Sequence, residues 1–540
     1  MIEKKKLACS LFSMVVIFSL ALPLLSPVVE ASPATEIRDW YELHAIRYDL
    51  AGHYVLMNDL DATTAGYEEV AGMAANESKG WDPIGVYEEG KSFAPFVGIF
   101  DGQGYEIRDL VIARAEEMAV GLFGAVVGWD EGGVVENVHV VNANFAGDIG
   151  VGGLVGLNGG TVSNCHSSGN MTGDSRVGGV VGLNINTVTN CSFEGIVTGY
   201  SILVGGLVGY NTGNVSSASS GGSVVAERGV GGLVGLNEGT VRDSGAESGV
   251  TGDEFVGGLV GHNQGGTVGN CYASGNVTGD LRVGGAVGYN DYESTVARSY
   301  ASGSVAGDNL AGGLVGYNLG TVRNSYSSGS VSGNSSIGGL VGGNEDIVRN
   351  CFWDEERSNM EMSDGGSGKT TAEMISIATF TDTKTAGLDA PWDITTVAHG
   401  ETDGAYTWNI VDGESYPFLS GKQFITHNLT ISSTVGGSVA VPGEGTYSSL
   451  AGEIVILAGD PDAGYRFVNW TGDVDTVGDV NDRETSITIQ GNYVVTANFE
   501  REVSEAVILG IVAAVIVVGL VVFFVLRRRG RAAWPKGRSV

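Results

Sequence analysis

Few residues of this chain have the types and spacings that enzymes use. Seven histidines are present, and none begins a His-Glu-x-x-His motif. That motif places two metal ligands and a general base on one helical face, so a peptidase of that class is not expected. Residues 365–371 resemble a phosphate-binding loop but are one glycine short of the full pattern. The sequence therefore predicts a protein that is not an enzyme and has no cofactor.

One set of acidic residues leaves room for a metal. Five aspartates follow a glycine at equivalent places in a repeat, at Asp148, Asp174, Asp253, Asp280 and Asp308. Carboxylates stacked in this way could hold Ca²⁺ between coils, which would relieve their like-charge repulsion. Gly-Asp pairs are also ordinary turn chemistry, and we favour that interpretation. Calcium at this column is the alternative.

Four aromatic residues occupy equivalent places in the last four repeat copies, at Tyr272, Tyr300, Tyr326 and Phe352. If the rings point outward, they form a stripe on which sugar rings could stack. If they point inward, they fill the core as an aromatic ladder. The alternation of residues favours core or half-buried rings but leaves the outward stripe open as a ligand site.

Two cysteines, Cys165 and Cys191, match each other in neighbouring copies. They could approach to disulfide distance, although small buried thiols are the favoured interpretation.

Eight Asn-x-Ser/Thr sequences are also present, and these are acceptor motifs for glycosylation of an exported chain. They begin at Asn76, Asn170, Asn190, Asn214, Asn276, Asn334, Asn428 and Asn469.

All of these columns belong to one repeat of 26 to 28 residues. The block Val-Gly-Gly-Leu-Val-Gly-x-Asn recurs with small changes, and its asparagine falls at Asn158, Asn184, Asn211, Asn237, Asn263, Asn290, Asn318 and Asn344. A side-chain amide at the same corner of every copy can hydrogen-bond the next amide and satisfy turn carbonyls. We therefore expect a structural asparagine ladder, with ligand binding as the alternative.

Each repeat unit contains three short β-type pieces divided by Gly, Asn or Asp. Such a unit cannot bury its apolar side chains alone, but stacked copies pair in parallel at about 4.8 Å and form a continuous core. Parallel crossovers are almost always right-handed. The sequence predicts an all-β chain with a right-handed parallel β-helix, or β-solenoid, followed by a small all-β domain and one transmembrane helix.

The two ends of the chain predict its compartment. Lysines at positions 4–6 precede an apolar run at 7–25 and a small-x-small site at 29–31, which is the order of a signal peptide. An uncleaved anchor helix is the alternative there. Residues 507–526 carry no charge and are followed by arginines at 527–529, which predicts a single transmembrane helix with a cytoplasmic tail. This arrangement predicts a cell-membrane protein with its N-terminal part outside the cell.

Composition agrees with export. The chain has 87 glycines among 540 residues and a formal net charge of -33, so binding to nucleic acid phosphates is not expected.

The predicted division is a signal peptide at 1–31, a lead-in at 32–118, the solenoid at 119–353, a C-terminal flank at 354–425, a small β domain at 426–500, a linker at 501–506, the transmembrane helix at 507–526 and a basic tail at 527–540.

The repeat resembles the GLUG-motif repeats of microbial surface proteins. The Gly-Gly-Leu-Val-Gly-x-Asn blocks are similar to that motif, and the segments 80–85, 100–107, 351–354 and 415–419 are similar to the usual sequences on either side of such repeats. The segments 464–470 and 497–499 resemble the bacterial surface repeat related to the internalin B-repeat, which usually acts as a spacer. The resemblance implies a β-helical exported region linked to adhesion or envelope contact, without implying one reaction.

The leading functional hypothesis is a membrane-anchored, non-catalytic surface protein that adheres to surfaces or contacts envelope glycans. Its expected partners are the membrane through residues 507–526 and carbohydrate or surface proteins. The alternatives are a β-helical lyase or hydrolase acting on glycans, or a purely structural envelope component. The repeated aspartates lie in register rather than converging, which counts against the enzyme.

Overall fold

A computed structural model describes residues 34–88, 92–128, 132–421, 426–450, 454–474, 476–488, 493–502 and 505–530. The predicted signal peptide and residues 531–540 of the basic tail lie outside these ranges. The chain divides into two compact units, one of residues 1–396 with 405–419, and one of residues 397–404 with 420–540.

The first unit is a parallel β-solenoid, which confirms the predicted stacking of repeat copies. Three β-sheets run along it, and within each sheet every strand pairs in parallel with its copy in the next coil. We call them the Thr-Val face, the Asn face and the long face, after the sequences or the strand lengths that they carry.

The Thr-Val face has twelve strands, Thr35–Ile37, His53–Leu56, Ile99–Asp101, Val134–Glu136, Thr161–Ser163, Thr187–Thr189, Asn214–Ser216, Thr240–Arg242, Thr267–Gly269, Thr295–Ala297, Thr321–Arg323 and Ile347–Arg349. The Asn face has nine, Phe123–Val127, Val155–Gly159, Val181–Asn184, Val208–Asn211, Val234–Asn237, Val260–Asn263, Val287–Asn290, Val315–Asn318 and Val341–Asn344.

The long face contains the remaining solenoid strands, Glu106–Arg108, Val111–Ala113, His139–Ala146, Ile149–Gly152, His166–Gly173, Ser175–Gly178, Ser192–Gly199, Ile202–Gly205, Ser219–Val225, Arg228–Gly231, Gly245–Ala246, Gly249–Thr251, Glu254–Gly257, Tyr272–Ala273, Val277–Gly284, Tyr300–Ala301, Val305–Gly312, Tyr326–Ser327, Val331–Gly338, Phe352–Asp354 and Ser367–Lys369.

Stacked aliphatic side chains form the interior of the solenoid. In a typical coil Val208, Val215, Val224 and Leu207 are fully buried. Burial of one such side chain contributes about 1.5–3 kcal/mol, and each coil repeats the same set. The core is therefore continuous from coil to coil, as expected for units that have no interior of their own.

The paired glycines of the repeat allow the backbones of successive coils to approach closely. A Cβ atom added to Gly232 would lie 2.0 Å from the carbonyl oxygen of Gly258 in the next coil. Only a residue without a side chain fits at this corner. By contrast, the nearest atom to a Cβ on Gly249 would be the carbonyl oxygen of Gly222, 3.9 Å away.

The segment before the repeats already contributes to the solenoid, because its strands at 35–37, 53–56 and 99–101 belong to the Thr-Val face. Between them lie helices at Trp40–Ala45, Ile46–Tyr48, Tyr67–Ala71 and Ala75–Ser78, and an antiparallel hairpin of Val86–Glu88 with Ser92–Ala94.

The other end of the solenoid carries short helices and a small sheet. The helices are Glu355–Ser358, Thr371–Met374 and Ile377–Thr381, and the sheet consists of Ile394–Thr396, Trp408–Ile410 and Phe418–Leu419. We call residues 371–396 and 405–419 the C-terminal cap. Residues 367–369, within the loop-like sequence noted above, form a strand paired with Phe352–Asp354.

The second unit contains a small β domain and a helix. Strands Gly445–Leu450, Thr426–Ser433, Tyr493–Arg501 and Tyr465–Gly472 form one sheet in that order, and Gly437–Val441, Ile454–Pro461 and Glu484–Thr488 form another. Leu429, Leu457, Trp470, Ile487 and Val495 form its core. The small all-β domain is therefore present where it is predicted.

The prediction of a transmembrane helix at residues 507–526 is wrong. A helix is present at Glu505–Gly530, but no helix among the described residues is both long and apolar enough to cross a membrane. The predicted membrane partner and single-pass orientation rested on this helix.

We expect Gly232→Ala to destabilise the solenoid because the new Cβ would overlap the carbonyl oxygen of Gly258. Overpacking of this kind costs about 1–3 kcal/mol, and it should lower the midpoint of denaturant unfolding followed by circular dichroism. Gly249→Ala is the matched control, since its Cβ meets open space, and it should change the free energy of unfolding by less than about 0.5 kcal/mol. Equal effects of the two variants would contradict close backbone approach at the glycine pair.

Candidate functional site

The eight repeat asparagines form a continuous hydrogen-bonded ladder on the Asn face. Each Nδ2 donates to the Oδ1 of the asparagine in the next coil, and the seven distances from Asn158 to Asn344 are 2.7–2.9 Å. The first seven side chains are fully buried. Buried amides are costly unless they are hydrogen-bonded, and the ladder satisfies them from coil to coil.

Most ladder amides also close the turn that follows them. The Nδ2 of Asn237 donates to the carbonyl oxygen of Gly239 at 3.2 Å, and its Oδ1 accepts from the backbone N–H of the same glycine at 3.3 Å. Asn211 makes the same pair of bonds to Gly213. These amides are thus fully engaged with the protein itself, which favours the structural interpretation of the ladder.

A second asparagine column lies at an exposed corner after the Thr-Val face. These residues have positive φ angles of 51° to 56°, at Asn137, Asn164, Asn190, Asn270, Asn324 and Asn350. Asparagine tolerates this left-handed conformation better than most residues. Asn190 donates to Asn164 at 2.8 Å, and Asn164 donates to Asn137 at 3.1 Å. The sequence signal for this column was the Thr-Val-x-Asn part of each repeat.

The predicted aromatic column lies outside the main core but is covered by the C-terminal cap. The rings of Tyr272 and Tyr300 stack at 5.7 Å, and those of Tyr300 and Tyr326 stack at 5.1 Å with an interplanar angle of 3°. Tyr300, Tyr326 and Phe352 are 6%, 2% and 0% exposed, whereas Tyr272 is half-buried. These rings therefore belong to a second hydrophobic cluster, which they form with residues of the cap, and not to an open stripe.

The cap supplies both apolar and polar contacts to this column. Trp408 lies 6.1 Å from Tyr300 and 5.9 Å from Tyr326 between ring centroids. The Tyr326 hydroxyl donates to the carbonyl oxygen of Pro417 at 2.6 Å. Burial raises the pKa of Tyr326 well above its usual value, so this hydroxyl stays protonated as a donor.

The same register position carries histidines nearer the N-terminus of the long face. Glu106, His139, His166 and Ser192 lie side by side in successive coils. The His139 and His166 rings are 6.0 Å apart, and His166 Nδ1 lies 2.9 Å from the hydroxyl of Ser192. Burial, and then the charge of His139, lower the pKa of His166, whereas Glu106 acts in the opposite direction.

The four cysteines outside the signal region, Cys165, Cys191, Cys271 and Cys351, are free and buried. Each thiol donates to the carbonyl oxygen two residues earlier, at 3.1–3.2 Å. Ser244, Ser299 and Ser325 occupy the same position and make the same bond at 2.6–2.9 Å. The position therefore requires a small donor, and burial raises the pKa of both Cys271 and Cys351 to about 12.

Of the five aspartates, Asp148, Asp174 and Asp253 lie at bends between strands of the long face, whereas Asp280 and Asp308 lie within its strands. Asp174 N–H donates to the carbonyl oxygen of Asp148 at 2.7 Å, and Asp280 bonds Asp253 in the same way at 3.1 Å. Burial, together with the charges of Asp174 and Glu116, raises the pKa of Asp148. In the described part of the chain no group of three or more His, Cys, Asp or Glu residues could hold a metal ion.

A different aromatic cluster, which the sequence did not reveal, lies at the corner between the long face and the Asn face. The residue before each ladder asparagine stacks in register from coil to coil, and this position changes from Leu236 to His262, Tyr289 and Tyr317. We call this cluster the aromatic seam. It consists of Phe255, His262, Tyr289 and Tyr317 with Arg228 and Arg282.

The rings of the seam are stacked along the solenoid. Tyr289 lies 4.9 Å from His262, 5.1 Å from Phe255 and 5.9 Å from Tyr317, with interplanar angles of 16° to 26°. The Arg282 guanidinium lies 5.1–5.6 Å from the centroids of Phe255, Tyr289 and Tyr317. These are cation–π distances, so the arginine stays at the surface while it holds three rings in line.

Carboxylates line the outer edge of the seam. Glu254 accepts from Arg282 at 2.5 Å and lies 3.2 Å from Arg228. The Tyr289 hydroxyl donates to Asp291 at 3.2 Å, and the Tyr317 hydroxyl donates to Glu345. Burial and the charge of Asp291 raise the pKa of Tyr289 to about 12.

The seam thus presents half-buried ring edges beside hydroxyl, guanidinium and carboxylate groups. Such a mixture suits a ligand with both C–H surfaces and hydroxyls, because it offers apolar contact, donors and acceptors within one strip. Its signal in the sequence was the change from Leu to Tyr or His before the ladder asparagine. Phe255 and Arg282 could not be assigned to it, because they lie some seven residues earlier on another face.

Two families account for parts of the chain. Residues 147–172, 173–198, 256–278 and 307–332 match the GLUG motif. These four segments are GLUG motifs. Residues 427–503 match the divergent InlB B-repeat domain. Both resemblances inferred from the sequence are therefore confirmed, and each GLUG motif contains one asparagine of the ladder.

One curated relative is halomucin from Haloquadratum walsbyi, 36% identical over 121 residues. The match covers 22% of this chain and 1% of halomucin, so the chain spans a very small part of that relative. Among solved structures, a putative immunoglobulin A1 protease from Bacteroides ovatus aligns at 18% identity with a TM-score of 0.32, covering 72% of this chain and 93% of that one. An IgA1 protease aligns at 14% identity with a TM-score of 0.27, covering 62% and 21%.

We expect Asn237→Ala to cost about 1–3 kcal/mol of unfolding free energy, because it leaves buried amide groups of Asn211 and Asn263 without their ladder partner. Asn344→Ala is the matched control at the end of the ladder, where the side chain is partly exposed and only Asn318 loses a partner. The midpoint of denaturant unfolding should therefore fall more for Asn237→Ala. Similar losses for both variants would contradict a cooperative ladder.

Stability should decrease as the pH falls below about 6.5, the usual histidine pKa. The pKa values of His44, His166 and His262 are lowered in the folded chain, mainly by burial, so the unfolded chain binds more protons in this range. Urea midpoints measured from pH 7.5 to 5.5 should fall, and His166→Gln should reduce that fall. A midpoint that rises with acidification, or an unchanged slope in His166→Gln, would contradict this linkage.

Proposed function

We propose that the chain is an exported surface protein that makes non-catalytic, adhesive contacts with envelope carbohydrate through the side of its solenoid. The observation that carries this proposal is the aromatic seam, where stacked rings, guanidinium groups and carboxylates follow one corner over several coils. A ligand that repeats along its own length, such as a polysaccharide, matches a surface that repeats from coil to coil.

Two features of the seam favour carbohydrate. The rings of Tyr289 and Tyr317 are half-buried and held by Arg282, so little conformational entropy is lost when a ligand contacts them. Its rim carries acceptors, such as Asp291 and Glu345, and the donors of Arg228 and Arg282. Sugar hydroxyls both donate and accept hydrogen bonds, and sugar C–H faces pack against aromatic edges.

Family content supports the surface location. GLUG motifs and a B-repeat-type domain both resemble parts of microbial surface proteins, and the similarity to a segment of halomucin agrees with this. The strong negative charge of the chain keeps such a surface soluble and repels neighbouring copies.

Binding of the full-length chain to immobilised neutral and acidic polysaccharides tests this function. We expect measurable binding, and we expect Tyr289→Ala combined with Tyr317→Ala to weaken it roughly tenfold, about 1.4 kcal/mol. Loss of two stacked rings is sufficient for a change of that size.

Tyr200→Ala is the matched control, because Tyr200 is 66% exposed and lies outside the seam. The control should bind like the unaltered chain, and circular dichroism should show that all variants remain folded. Equal binding by the seam variant and the control would rule out the seam as the contact surface. Release of new reducing ends from any polysaccharide would instead favour the enzymatic alternative.

A further inference from the structure

The eight Asn-x-Ser/Thr motifs differ in a way that only the structure reveals. Attachment of a glycan requires an accessible Nδ2 atom and an accessible hydroxyl two residues later. We propose that Asn170 and Asn276 are N-glycosylated, and that most of the other motifs are blocked by the fold. This proposal rests on export of the chain but not on carbohydrate binding at the seam.

The modification joins Asn Nδ2 to the anomeric carbon of a sugar. The donor is a lipid-linked oligosaccharide, whose anomeric carbon is bonded to a phosphate oxygen. The new C–N bond forms as the C–O bond to phosphate breaks, the lipid phosphate leaves, and Nδ2 loses one proton. The balance needs no oxidant or metal from the chain itself.

Asn276 has the geometry of an acceptor. It is exposed, Val277 after it is 1% exposed, and Thr278 is again exposed, so the asparagine and the threonine share the outer surface. Asn276 Oδ1 accepts from the backbone N–H of Ser304 at 3.1 Å and from its hydroxyl at 2.7 Å. These bonds hold the carbonyl side of the amide and leave Nδ2 without a partner among the described residues.

The surface beside Asn276 has room for a sugar. Val277 pairs with Val250 of the previous coil, so Gly249 is the neighbour of Asn276 on that side. A Cβ atom on Gly249 would meet only one atom within 4 Å, at 3.9 Å. The adjoining coil therefore presents backbone rather than a side chain next to the acceptor amide.

Asn170 repeats this arrangement on the same face. It is exposed, Met171 after it is fully buried, and Thr172 is partly exposed on the outer side. Within the part of the chain that the structure describes, the Asn170 side chain makes no hydrogen bond. Its neighbour in the next coil is Ile196, which is 50% exposed and cannot compete for Nδ2.

Three other motifs use their Nδ2 atoms in the fold. Asn76 donates to the carbonyl oxygens of Val70 and Gly80 at 3.3 and 2.7 Å, Asn190 donates to Asn164 at 2.8 Å, and Asn334 donates to Asp308 at 2.7 Å. Each bond would have to break before a sugar could be attached.

Two further motifs fail for other reasons. Asn214 is exposed, but Ser216 two residues later is 6% exposed and shares a hydrogen bond with Thr189 at 3.0 Å. Asn469 is half-buried, and the hydroxyl of Thr471 already accepts from the Asn498 amide at 2.8 Å. The side chain of Asn428 lies outside the described residues.

Mass spectrometry of peptides from the full chain, purified from the cells that produce it, tests the proposal. We expect the peptides containing Asn170 and Asn276 to carry a hexose-containing mass addition. Asn170→Gln and Asn276→Gln should each remove one addition from the intact mass. Asn190→Gln is the matched control, because Nδ2 of Asn190 already donates a hydrogen bond within the fold. This variant should leave the total mass of attached glycan unchanged.

Unmodified Asn170 and Asn276 in the exported protein would overturn the proposal, as would glycans at Asn76 or Asn190 instead. Intact cells are treated with an amine-reactive reagent that cannot cross the membrane, so that the chain is labelled only if it is exposed at the cell surface. This labelling separates the absence of glycosylation from failure of export. A labelled but unglycosylated chain refutes glycosylation alone, whereas an unlabelled, unglycosylated chain refutes both glycosylation and the surface location. Polysaccharide binding by the seam is measured independently of either result.

Discussion

The spacing of parallel strands, about 4.8 Å from one coil to the next, is the constraint on which the first unit depends. Identical positions in successive coils are brought into contact at this spacing, so each residue must be compatible with its own copy. Amides satisfy this requirement because one end donates and the other accepts, which is why the Asn face has an uninterrupted chain of bonds from Asn158 to Asn344. Glycine satisfies it by leaving space for the neighbouring carbonyl.

The same constraint explains which side chains are tolerated in the other columns. Small donors, Cys or Ser, bond a carbonyl of their own coil, and Ser299 also accepts from the backbone N–H of Cys271 in the adjacent coil. Aromatic rings are compatible with their copies when they stack in parallel, as Tyr300 and Tyr326 do. Charged groups can pair with the opposite charge in an adjacent coil, as Glu254 does between Arg228 and Arg282.

The periodicity of the sequence made the solenoid predictable, because one repeat of about 26 residues determines both the contacts within a coil and the contacts between neighbouring coils. The ladder amides and the buried thiols follow from the same repetition. Contacts that occur once in the chain were not predictable. The Tyr326 hydroxyl bonds Pro417, 91 residues away, and no repeated pattern indicates that a cap covers that column. The aromatic seam was hidden for a related reason, since Phe255 and His262 come from different faces.

The apolar run at 507–526 shows the opposite error, in which composition alone predicted a membrane crossing.

The in-register ladder has a consequence for how such a chain can change over generations. Because the donor end of every amide matches the acceptor end of every other, a whole unit can be lost or duplicated and the two flanking coils still fit together. The ends would be unaffected where the coils that contact them are retained, such as those of Tyr300, Tyr326 and Phe352 beneath the C-terminal cap. Unequal recombination could therefore lengthen or shorten the solenoid by whole repeat units. No intermediate that contains part of a unit, and so misfolds, would be required.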